Sequence, residues 1–528
     1  NWMIKKLKYH FVFLIVLQIG LCILYGYHKM YNERPYSIHQ WRQTDCASFA
    51  KNYYEEGMHF FSPQIHWQGT QQGKAISEFP LINYSVACLY KVFGEHEFLY
   101  RFTVFGIYFI SILFLFAMVF VVSNSLFYSY FAVSLISTSP LIAYYSFSFL
   151  ADMPALSFAI ISLSLFIFFL KSNNKSKFVF ALLFAVLAVL LKASSAPVLL
   201  IIITVTIINM FKFPKYFATE NISFKYKITP LVFFSIAFVI IYSWYHYAFL
   251  YNNENSNGVF LLETLPIWKM DDKVIETGRL LYNVQFSMFF NKGVLIFISI
   301  ILGWLLLNLK KINSFLQISL LIALASFTAF IILFYQVFNV HDYYLINSMI
   351  LPVIILVCLG DYLKPTLENI TKKIMVFVSM IILVNAVYCA TIIRLRNINK
   401  DVLCKYSPFI TNEEKNFSDW FHYNYATTIK PFETITPYLR SLGISRTDKV
   451  ISLPDPSFNI TLYLMDQKGF TETEKSLSID TLRIKNDIEL GAQYLIVNDT
   501  TILHNSYINN YIKNPIGKFE NILVYKLE

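Results

Sequence analysis

Three acidic residues stand at or just before the predicted starts of helices. They are Asp45 in Trp41-Arg-Gln-Thr-Asp45, Glu78 two residues before Pro80, and Asp152 in Ala151-Asp-Met-Pro154. A carboxylate at a helix start caps the helix or complements its dipole, so each acid has a purely structural interpretation. The same carboxylates can take a proton from a hydroxyl group, or hold a divalent ion that bridges to phosphate. The residues alone leave both interpretations open.

Positively charged and aromatic side chains near other apolar segments are candidates for binding an anionic ligand. Lys192 lies between two short apolar runs, where it can either extend to the membrane surface or hold a phosphate. Arg42, almost one helical turn before Asp45, can form a simple ion pair. The run His341-Asp-Tyr-Tyr344 can bind a headgroup or belong to the aromatic belt of a membrane interface.

The segments that must position these residues are mostly apolar. The chain has 528 residues, of which 56% are hydrophobic and 14% are charged, and its mean hydropathy is +0.51. Soluble globular proteins average about 25% charged residues, which excludes an ordinary soluble enzyme. Runs such as Phe102–Val122 lack the alternation of β-barrel strands and are long enough to cross a bilayer as helices. We therefore predict a polytopic α-helical membrane protein.

Hydropathy predicts a bundle of about 11 (11–13) transmembrane helices. Most Lys and Arg residues of the short loops fall on one side of this layout, which the positive-inside rule makes cytoplasmic. The prediction is a multi-pass protein of the cell inner (cytoplasmic) membrane, with its active site on the extracytoplasmic side. The predicted spans are 10–27, 98–122, 126–146, 153–170, 177–191, 196–211, 228–248, 292–309, 315–335, 344–360 and 374–392.

The chain after residue 393 has a different pattern. Lys449–Leu453, Tyr494–Val497 and Ile522–Tyr525 are typical of short buried strands, with helical spacing between them. We predict a transmembrane domain at 1–393, with outer loops at 29–97 and 248–291, and a small extracytoplasmic α/β domain at 394–528. We expect removal of this last domain to leave the fold intact and to lower activity.

Net charge is explained without a nucleic-acid partner. The chain carries 43 basic and 33 acidic residues, a net charge of +10. Residues 394–528 contain 16 of each sign, so the whole excess lies in the apolar part, where the positive-inside rule accounts for it. A basic surface that binds nucleic acid would instead be expected on a polar domain.

One series of residues in the first outer loop is distinctive. It consists of Trp41-Arg-Gln-Thr-Asp45, Ala50-Lys-Asn52, Gly57, Pro63, Glu78-Phe-Pro-Leu81, Tyr84, Ala87, Leu89-Tyr90, Phe93-Gly94 and Arg101. It continues in the same order with Ala151-Asp-Met-Pro154, Leu191-Lys192, Trp244-Tyr245 and His341-Asp-Tyr-Tyr344. The series resembles glycosyltransferase family 39, which includes protein O-mannosyltransferases and the lipid A aminoarabinose transferase.

The resemblance implies the GT-C fold, a bundle of spans with the active site in a cavity at the outer face. It implies a donor in which a sugar is attached to a polyprenyl phosphate. Asp45 and Asp152 match acidic positions of the family and are the implied catalytic residues. Glu78 matches an acid that is linked to a metal in some relatives, so a divalent ion of unknown identity is an implied cofactor.

Two departures from the family pattern concern the donor phosphate and the metal. Cys46 follows Asp45 where the family often has Glu, and Phe79 stands where it often has the Lys that binds the lipid phosphate. The candidates for the missing phosphate cation are Arg42, Lys74, Arg101 and Lys192. The resemblance also makes substrate-binding candidates of Tyr84, His341 and Tyr344.

The resemblance predicts an integral-membrane glycosyltransferase, hexosyl or pentosyl, that acts at the outer membrane face. It would move the sugar to a hydroxyl group of a cell-envelope glycan, lipid or protein. An O-antigen-type polymerase or ligase is an alternative, although the second large outer loop has little beyond Arg279 of the arginines that such enzymes use. A lipid-linked sugar transporter or flippase is a second alternative. It would show internal repeats, and the sequence has none.

Overall fold

The computed structural model describes residues 2–213, 228–255, 260, 264–336, 341–398, 400–472 and 481–527. Helices make up most of the described chain. The α-helices are α1 (Trp2–Tyr25), α2 (Tyr27–Met30), α3 (Gln40–Glu55), α4 (Leu81–Phe93), α5 (Glu97–Ser123), α6 (Leu126–Ser137), α7 (Pro140–Ser146), α8 (Asp152–Ser172), α9 (Lys175–Leu191), α10 (Ala196–Phe211), α11 (Ile228–Glu254), α12 (Asp272–Ser287), α13 (Lys292–Leu307), α14 (Ser314–Leu333), α15 (Ile350–Leu367), α16 (Lys372–Asn397), α17 (Val402–Tyr406), α18 (Asn412–Thr428), α19 (Thr436–Ser441), α20 (Ile460–Leu464) and α21 (Thr481–Glu489).

Seven segments of the described chain are long and apolar enough to cross a membrane, or up to nine if each of two bent helix pairs is one span. The chain is therefore a polytopic membrane protein. The bent pairs are α6 with α7, at 71°, and α12 with α13, at 94°. The seven single segments are Glu97–Ser123, Asp152–Ser172, Ala193–Phe211, Ile228–Glu254, Ser314–Leu333, Asp342–Leu367 and Lys372–Asn397.

All predicted spans overlap helices of the structure. The reason is that a segment in lipid must satisfy its own backbone hydrogen bonds, which an isolated apolar run can do only as a helix. Two predicted spans fall on shorter apolar stretches, 10–27 on Tyr9–Tyr25 and 177–191 on the 17 residues of α9. Seven to nine segments of the described chain are candidate spans by length and composition, so the number of about 11 spans stays a prediction.

The predicted span 126–146 is two helices, and the local sequence explains the break. The Ser139 side chain caps α7 by accepting from the backbone N–H of Ile142, and Pro140 occupies the first helical position. Proline has no N–H to continue the preceding helix, but its fixed φ suits the first turn of a new one. The chain therefore bends by 71° within a continuous apolar run.

A five-stranded sheet follows the last apolar helix, with the strand order β2-β1-β3-β5-β4. β1 pairs in parallel with β2 and β3, whereas β5 pairs antiparallel with β3 and β4. The three strands predicted from sequence are β1, β3 and β5. Their side chains are largely buried, as expected for strands that are covered on both faces. The strands are β1 (Lys449–Leu453), β2 (Gly469–Thr471), β3 (Ala492–Val497), β4 (Pro515–Phe519) and β5 (Ile522–Lys526).

The chain divides into two compact units. The membrane unit comprises Asn1–Lys29, Arg101–His246 and Glu263–Ile393. The second, which we call the loop–tail unit, comprises Met30–Tyr100, Tyr247–Leu262 and Arg394–Glu528. The predicted domain boundary after residue 393 is also a boundary between these units. Residues 30–100, which the sequence analysis assigned to the transmembrane domain, share a unit with residues 394–528, which we call the tail.

Within the loop–tail unit, the segment 29–97, which is predicted to be the first outer loop, extends the sheet at its β2 edge. Trp67 forms a parallel bridge with Gly469, the N–H of Gln68 donates to the Gly469 carbonyl at 2.8 Å, and the N–H of Gly469 donates to the His66 carbonyl at 3.2 Å. These bonds occupy the backbone groups of an edge strand, which would otherwise be unpaired. The loop and the tail are thus joined by main-chain pairing.

A cluster of charges in the same unit joins α3 to the segment before β2. The Asp466 carboxylate lies 3.1 Å from the Lys51 ammonium and 3.0 Å from the Arg446 guanidinium. Burial alone would raise the pKa of Asp466, but the nearby His66 ring and these cations hold it well below its usual range. The cluster fixes α3 against the tail and so fixes the residues that α3 carries.

Candidate active site

Asp45 lies inside α3, and the structure excludes its interpretation as a helix cap. The N-cap of α3 is His39, in a left-handed conformation with φ of 59°, and Asp45 follows six residues later. The Thr44 hydroxyl bonds back to the Gln40 carbonyl at 2.8 Å, so the helix satisfies its polar groups around Asp45 internally. The Asp45 side chain is only 2% exposed. Its burial therefore needs an explanation other than capping.

The surroundings of Asp45 bring the pKa of its carboxyl group close to neutral pH. The Nδ2 atom of Asn459 donates to Asp45 Oδ1 at 2.7 Å. Burial raises the pKa of Asp45 to about 7, although the Arg42 charge and the Asn459 hydrogen bond oppose this rise. The nearby carboxyl groups of Glu78 and Asp455 raise it further. A carboxylate with this pKa is suited to exchange protons with a reacting hydroxyl group near pH 7.

Arg42 and Glu78 form a buried ion pair beside Asp45. The Arg42 Nη2 atom donates to Oε2 of Glu78, whose side chain is almost inaccessible to solvent. The Cys46 thiol lies 3.5 Å from the other carboxylate oxygen. Glu78 precedes α4 without capping it, because the N-cap position of that helix is Pro80. The guanidinium of Arg42 thus interacts with two carboxylates, those of Glu78 and Asp45.

The residues around Glu78 do not fit a divalent metal site. One oxygen of its carboxylate accepts from a guanidinium, which already supplies the positive charge that a metal would bring. Among the described residues, no group of three or more His, Cys, Asp or Glu side chains is arranged to hold a metal ion. The surroundings of Glu78 therefore do not fit its predicted role as a metal ligand.

Tyr84 and Lys74 are the two other candidate site residues of the first outer loop. The Tyr84 ring belongs to an aromatic cluster, with centroids 5.3 Å from the Tyr53 ring and 5.0 Å from the Phe60 ring. Phe79, which replaces the family lysine, also packs on Phe60, at 5.5 Å. Lys74 lies in a short antiparallel bridge with Gln64. The substrate role of Tyr84 and the phosphate role of Lys74 stay predictions.

In the membrane unit, Asp152, Lys192 and Tyr344 lie together. Asp152 is the first residue of α8 and is 1% exposed, and its Oδ1 atom lies 3.2 Å from the Lys192 ammonium. The Lys192 Nζ atom is 5.8 Å from the centroid of the Tyr344 ring. Lys192 sits at the break between α9 and a short 3-10 turn, Ala193–Ser195, so its side chain is held where the helix ends. Three predicted site residues therefore form one cluster.

His341 and Arg101 also belong to the membrane unit. The His341 ring lies 5.8 Å from the Tyr344 ring, which places His341 next to the same cluster. Arg101 is buried, its Nη1 atom donates to the Phe147 carbonyl at 2.8 Å, and its guanidinium carbon lies 4.5 Å from the centre of the Phe149 ring. These contacts give Arg101 a structural role in holding the segment between α7 and α8.

Sequence reasoning missed Asn459, although it contacts the first candidate base directly. The two residues are 414 positions apart, and Asn459 stands in the run Asp455-Pro-Ser-Phe-Asn459, whose composition predicts only a turn. No pattern in a single sequence pairs a turn residue of a distant α/β segment with a carboxylate of the first outer loop. The pairing becomes visible only when the tail packs on the loop.

No protein-family model and no curated protein matches the chain. Solved structures do match it. ArnT from Cupriavidus metallidurans in the apo state superposes with a TM-score of 0.59 at 11% identity, over 98% of this chain and 97% of that one. The same protein bound to undecaprenyl phosphate gives a TM-score of 0.56 at 10% identity, over 97% and 98%.

Two further structures share the architecture. The archaeal oligosaccharyltransferase AglB from Archaeoglobus fulgidus, in complex with an inhibitory peptide and a dolichol-phosphate, has a TM-score of 0.52 at 12% identity, over 94% of this chain and 70% of that one. The arabinofuranosyltransferase AftD from Mycobacteria has a TM-score of 0.54 at 10% identity, over 98% of this chain and 40% of that one. The similarity extends over nearly the whole chain, membrane helices and tail alike, and the protein therefore has the GT-C fold that its resemblance to glycosyltransferase family 39 implies.

Proposed function

We propose that the protein is an integral-membrane glycosyltransferase. It moves a sugar from a polyprenyl-phosphate donor to a hydroxyl acceptor of the cell envelope, at the outer face of the cytoplasmic membrane. The observation that carries the proposal is Asp45, a buried and hydrogen-bonded carboxyl group whose pKa is about 7. Support comes from the fold, which is shared with two named transferases, AglB and AftD, and with an ArnT structure that binds undecaprenyl phosphate.

In the proposed reaction, Asp45 acts as general base. It accepts the proton of the acceptor hydroxyl while that oxygen forms a bond to the anomeric carbon of the donor sugar. The bond between the anomeric carbon and the phosphate oxygen breaks, and the polyprenyl phosphate leaves with the electron pair. Asp45, now protonated, returns the proton to water. Arg42 favours the ionised form of Asp45 before the reaction.

We assign binding of the donor phosphate to Lys192. Its ammonium is held by Asp152 at 3.2 Å and lies 5.8 Å from the Tyr344 ring, in the unit that carries most of the membrane helices. A lysine is a flexible point charge that suits a phosphate, and the family lysine is replaced here by Phe79. By contrast, Arg101 bonds a backbone carbonyl and stacks on Phe149, which suits it less to bind a mobile ligand.

The test is a transfer assay with the full-length protein in lipid nanodiscs. Polyprenyl phosphates that carry radiolabelled hexoses or pentoses are incubated with a detergent extract of envelope glycans, lipids and proteins. We expect label in an acceptor fraction together with free polyprenyl phosphate. Asp45→Asn should lower this transfer on the order of 10²-fold, because it removes a general base while keeping the side-chain shape.

The matched control is Glu489→Gln, which neutralises an exposed carboxylate of the loop–tail unit. It should transfer sugar at the wild-type rate. A folded Asp45→Asn protein with wild-type turnover would refute the assignment of the base. A protein that moves the intact lipid-linked sugar across liposomes without cleaving it would instead be a flippase.

A further inference from the structure

Both polar atoms of the Asn459 side chain form hydrogen bonds, which fixes the orientation of its amide group. Its Oδ1 atom accepts from the backbone N–H of Trp67 at 3.0 Å, and its Nδ2 atom donates to Oδ1 of Asp45 at 2.7 Å. A backbone N–H can only donate and an ionised carboxylate can only accept, so a reversed amide would lose both bonds. Asn459 is completely buried and is therefore oriented to donate to Asp45.

The turn that carries Asn459 is held rigidly by a second buried acid. Asp455 Oδ1 accepts from the backbone N–H and the hydroxyl of Ser457, at 2.9 and 2.6 Å. Its Oδ2 accepts from the backbone N–H and the hydroxyl of Thr461, again at 2.9 and 2.6 Å. The Thr471 hydroxyl of β2 donates to the Ser457 carbonyl at 2.6 Å. Asn459 lies between these anchored residues, so its position is set by the sheet.

We propose that Asn459 is a positioning residue for the reaction at Asp45. The tail thereby donates the hydrogen bond that holds the Asp45 carboxylate ionised and in place, and it leaves Oδ2 to receive the proton of the acceptor. The inference rests on the proposed function, in which Asp45 is the base. The inference gives the tail a part in the chemistry. The sequence of the tail does not suggest this part, because the tail has no acid–base constellation of its own.

Four side chains act on the protonation of Asp45. Arg42 and Asn459 favour the ionised form, whereas Glu78 and Asp455 disfavour it. A hydrogen bond to the charged form lowers a carboxyl pKa, so loss of the Asn459 donor raises the pKa of Asp45 above its present value of about 7. The ionised base then appears only at higher pH, and the acid limb of the pH–rate profile moves upward.

Two variants remove the Nδ2 donor. Asn459→Asp keeps the shape and the acceptor for the Trp67 N–H but adds a carboxyl group beside Asp45, whereas Asn459→Ala removes the donor without adding a charge. We expect the acid limb of kcat/KM for sugar transfer to move up by about one pH unit or more, with activity near pH 7 reduced on the order of tenfold. The matched control is Asn498→Asp, another buried tail asparagine, whose Nδ2 donates to the Thr428 carbonyl at 3.1 Å. Its acid limb should coincide with that of the wild type.

A second measurement needs no turnover and uses the milder variant Asn459→Ala. Thermal unfolding of the full-length protein in nanodiscs is followed at pH 5 and at pH 8. The loss in Tm should be larger at pH 8, where Asp45 is ionised and the missing bond was strongest. In the Asp45→Asn background, this dependence on pH should vanish, because the group that titrates is absent.

The outcomes separate the two proposals. If the acid limb of Asn459→Ala stays in place, or if its loss in Tm is equal at pH 5 and pH 8, Asn459 does not act through Asp45. If the wild type transfers no sugar but the coupling in Tm is present, the proposed function fails and the contact between Asn459 and Asp45 stands. If the Asn459→Asp protein misfolds, the acid limb and the Tm of Asn459→Ala test the proposal.

Discussion

Two carboxylates of the loop–tail unit face the same guanidinium but have different further partners. Glu78 is in direct ion-pair contact with Arg42, whereas Asp45 receives its hydrogen bond from the neutral amide of Asn459. A permanent ion pair holds a carboxylate charged and immobile, while an amide bond leaves the carboxylate able to gain and lose a proton. This difference supports our proposal that Asp45 is the base, with Glu78 orienting Arg42.

At the same scale, Lys192→Met tests the assignment of the donor phosphate. Methionine keeps the length of the side chain and removes the ammonium that lies 3.2 Å from Asp152. We expect the KM for the polyprenyl-phosphate sugar to rise on the order of tenfold, the equivalent of about 1.4 kcal/mol of lost binding. Steady-state transfer at varied donor concentration measures it.

The control for this prediction is Lys485→Met, which removes the exposed lysine of a weak i,i+4 pair with Glu489. Its KM for the donor should equal that of the wild type. A Lys192→Met protein that keeps the wild-type KM while its Tm falls would show that Lys192 is only a structural partner of Asp152.

Single residues were predictable from the sequence where their neighbours in the chain explain them. Asp45 and Glu78 stand in a distinctive run, and the structure places both in the loop–tail unit, close enough to act on each other electrostatically. The ion pair of Arg42 was expected with Asp45, whereas the direct partner is Glu78, 36 positions away. Partners of this kind are selected by tertiary packing, which local spacing does not encode.

At the scale of elements, Gly469 is the point where the loop meets the sheet. A Cβ atom at this position would lie 1.9 Å from the carbonyl oxygen of Val450, so backbone rather than a flexible side chain would have to move. Gly469→Ala should separate β2 from β1 and destabilise the loop–tail unit by about 1–3 kcal/mol, as overpacking does. Thermal unfolding and limited proteolysis of the tail measure this.

Gly106→Ala is the matched control for that substitution. Gly106 lies in α5, and its added Cβ would meet nothing within 4 Å. This protein should unfold at the wild-type temperature or slightly above it, because alanine is the better helix former. Equal stability of the two alanine variants would contradict the importance of the close approach at β2.

Elements were predicted best where one physical requirement dominates. The apolar helices follow from the need to satisfy the backbone in lipid, and β1, β3 and β5 follow from runs that are buried on both faces. β2, with three residues, and β4 were too short or too polar to be recognised. Every residue of α3 from Gln43 to Tyr53 is buried, which the mixed polar and apolar sequence of this helix does not indicate.

At the scale of the whole molecule, the loop–tail unit changes what removal of the tail should do. From the sequence we expected a chain truncated at Leu395 to keep its fold. The structure shows that residues 30–100 share main-chain pairing and buried ion pairs with the tail. We now expect truncation to abolish transfer and to make the first outer loop sensitive to protease, while the apolar helices stay inserted.

Protease digestion of the truncated protein in nanodiscs, followed by mass spectrometry, measures this expectation. The full-length protein digested in parallel is the control. Full transfer by the truncated chain, or equal protection of residues 30–100 in both proteins, would confine the tail to a separate and dispensable role.

The separation of Asp45 and Asn459 in the sequence also has a consequence for the synthesis of the protein. These partners are 414 positions apart, and chains are synthesised at about 5–20 residues per second. The nascent first loop therefore exists for roughly 20–80 seconds before the ribosome has made the residue that completes its base. Throughout this time its helices can already have entered the membrane, where donor lipids are present. Under the proposed function, the chain becomes fully competent only after the turn that carries Asn459 has been translated, so shorter unfinished chains would consume little donor.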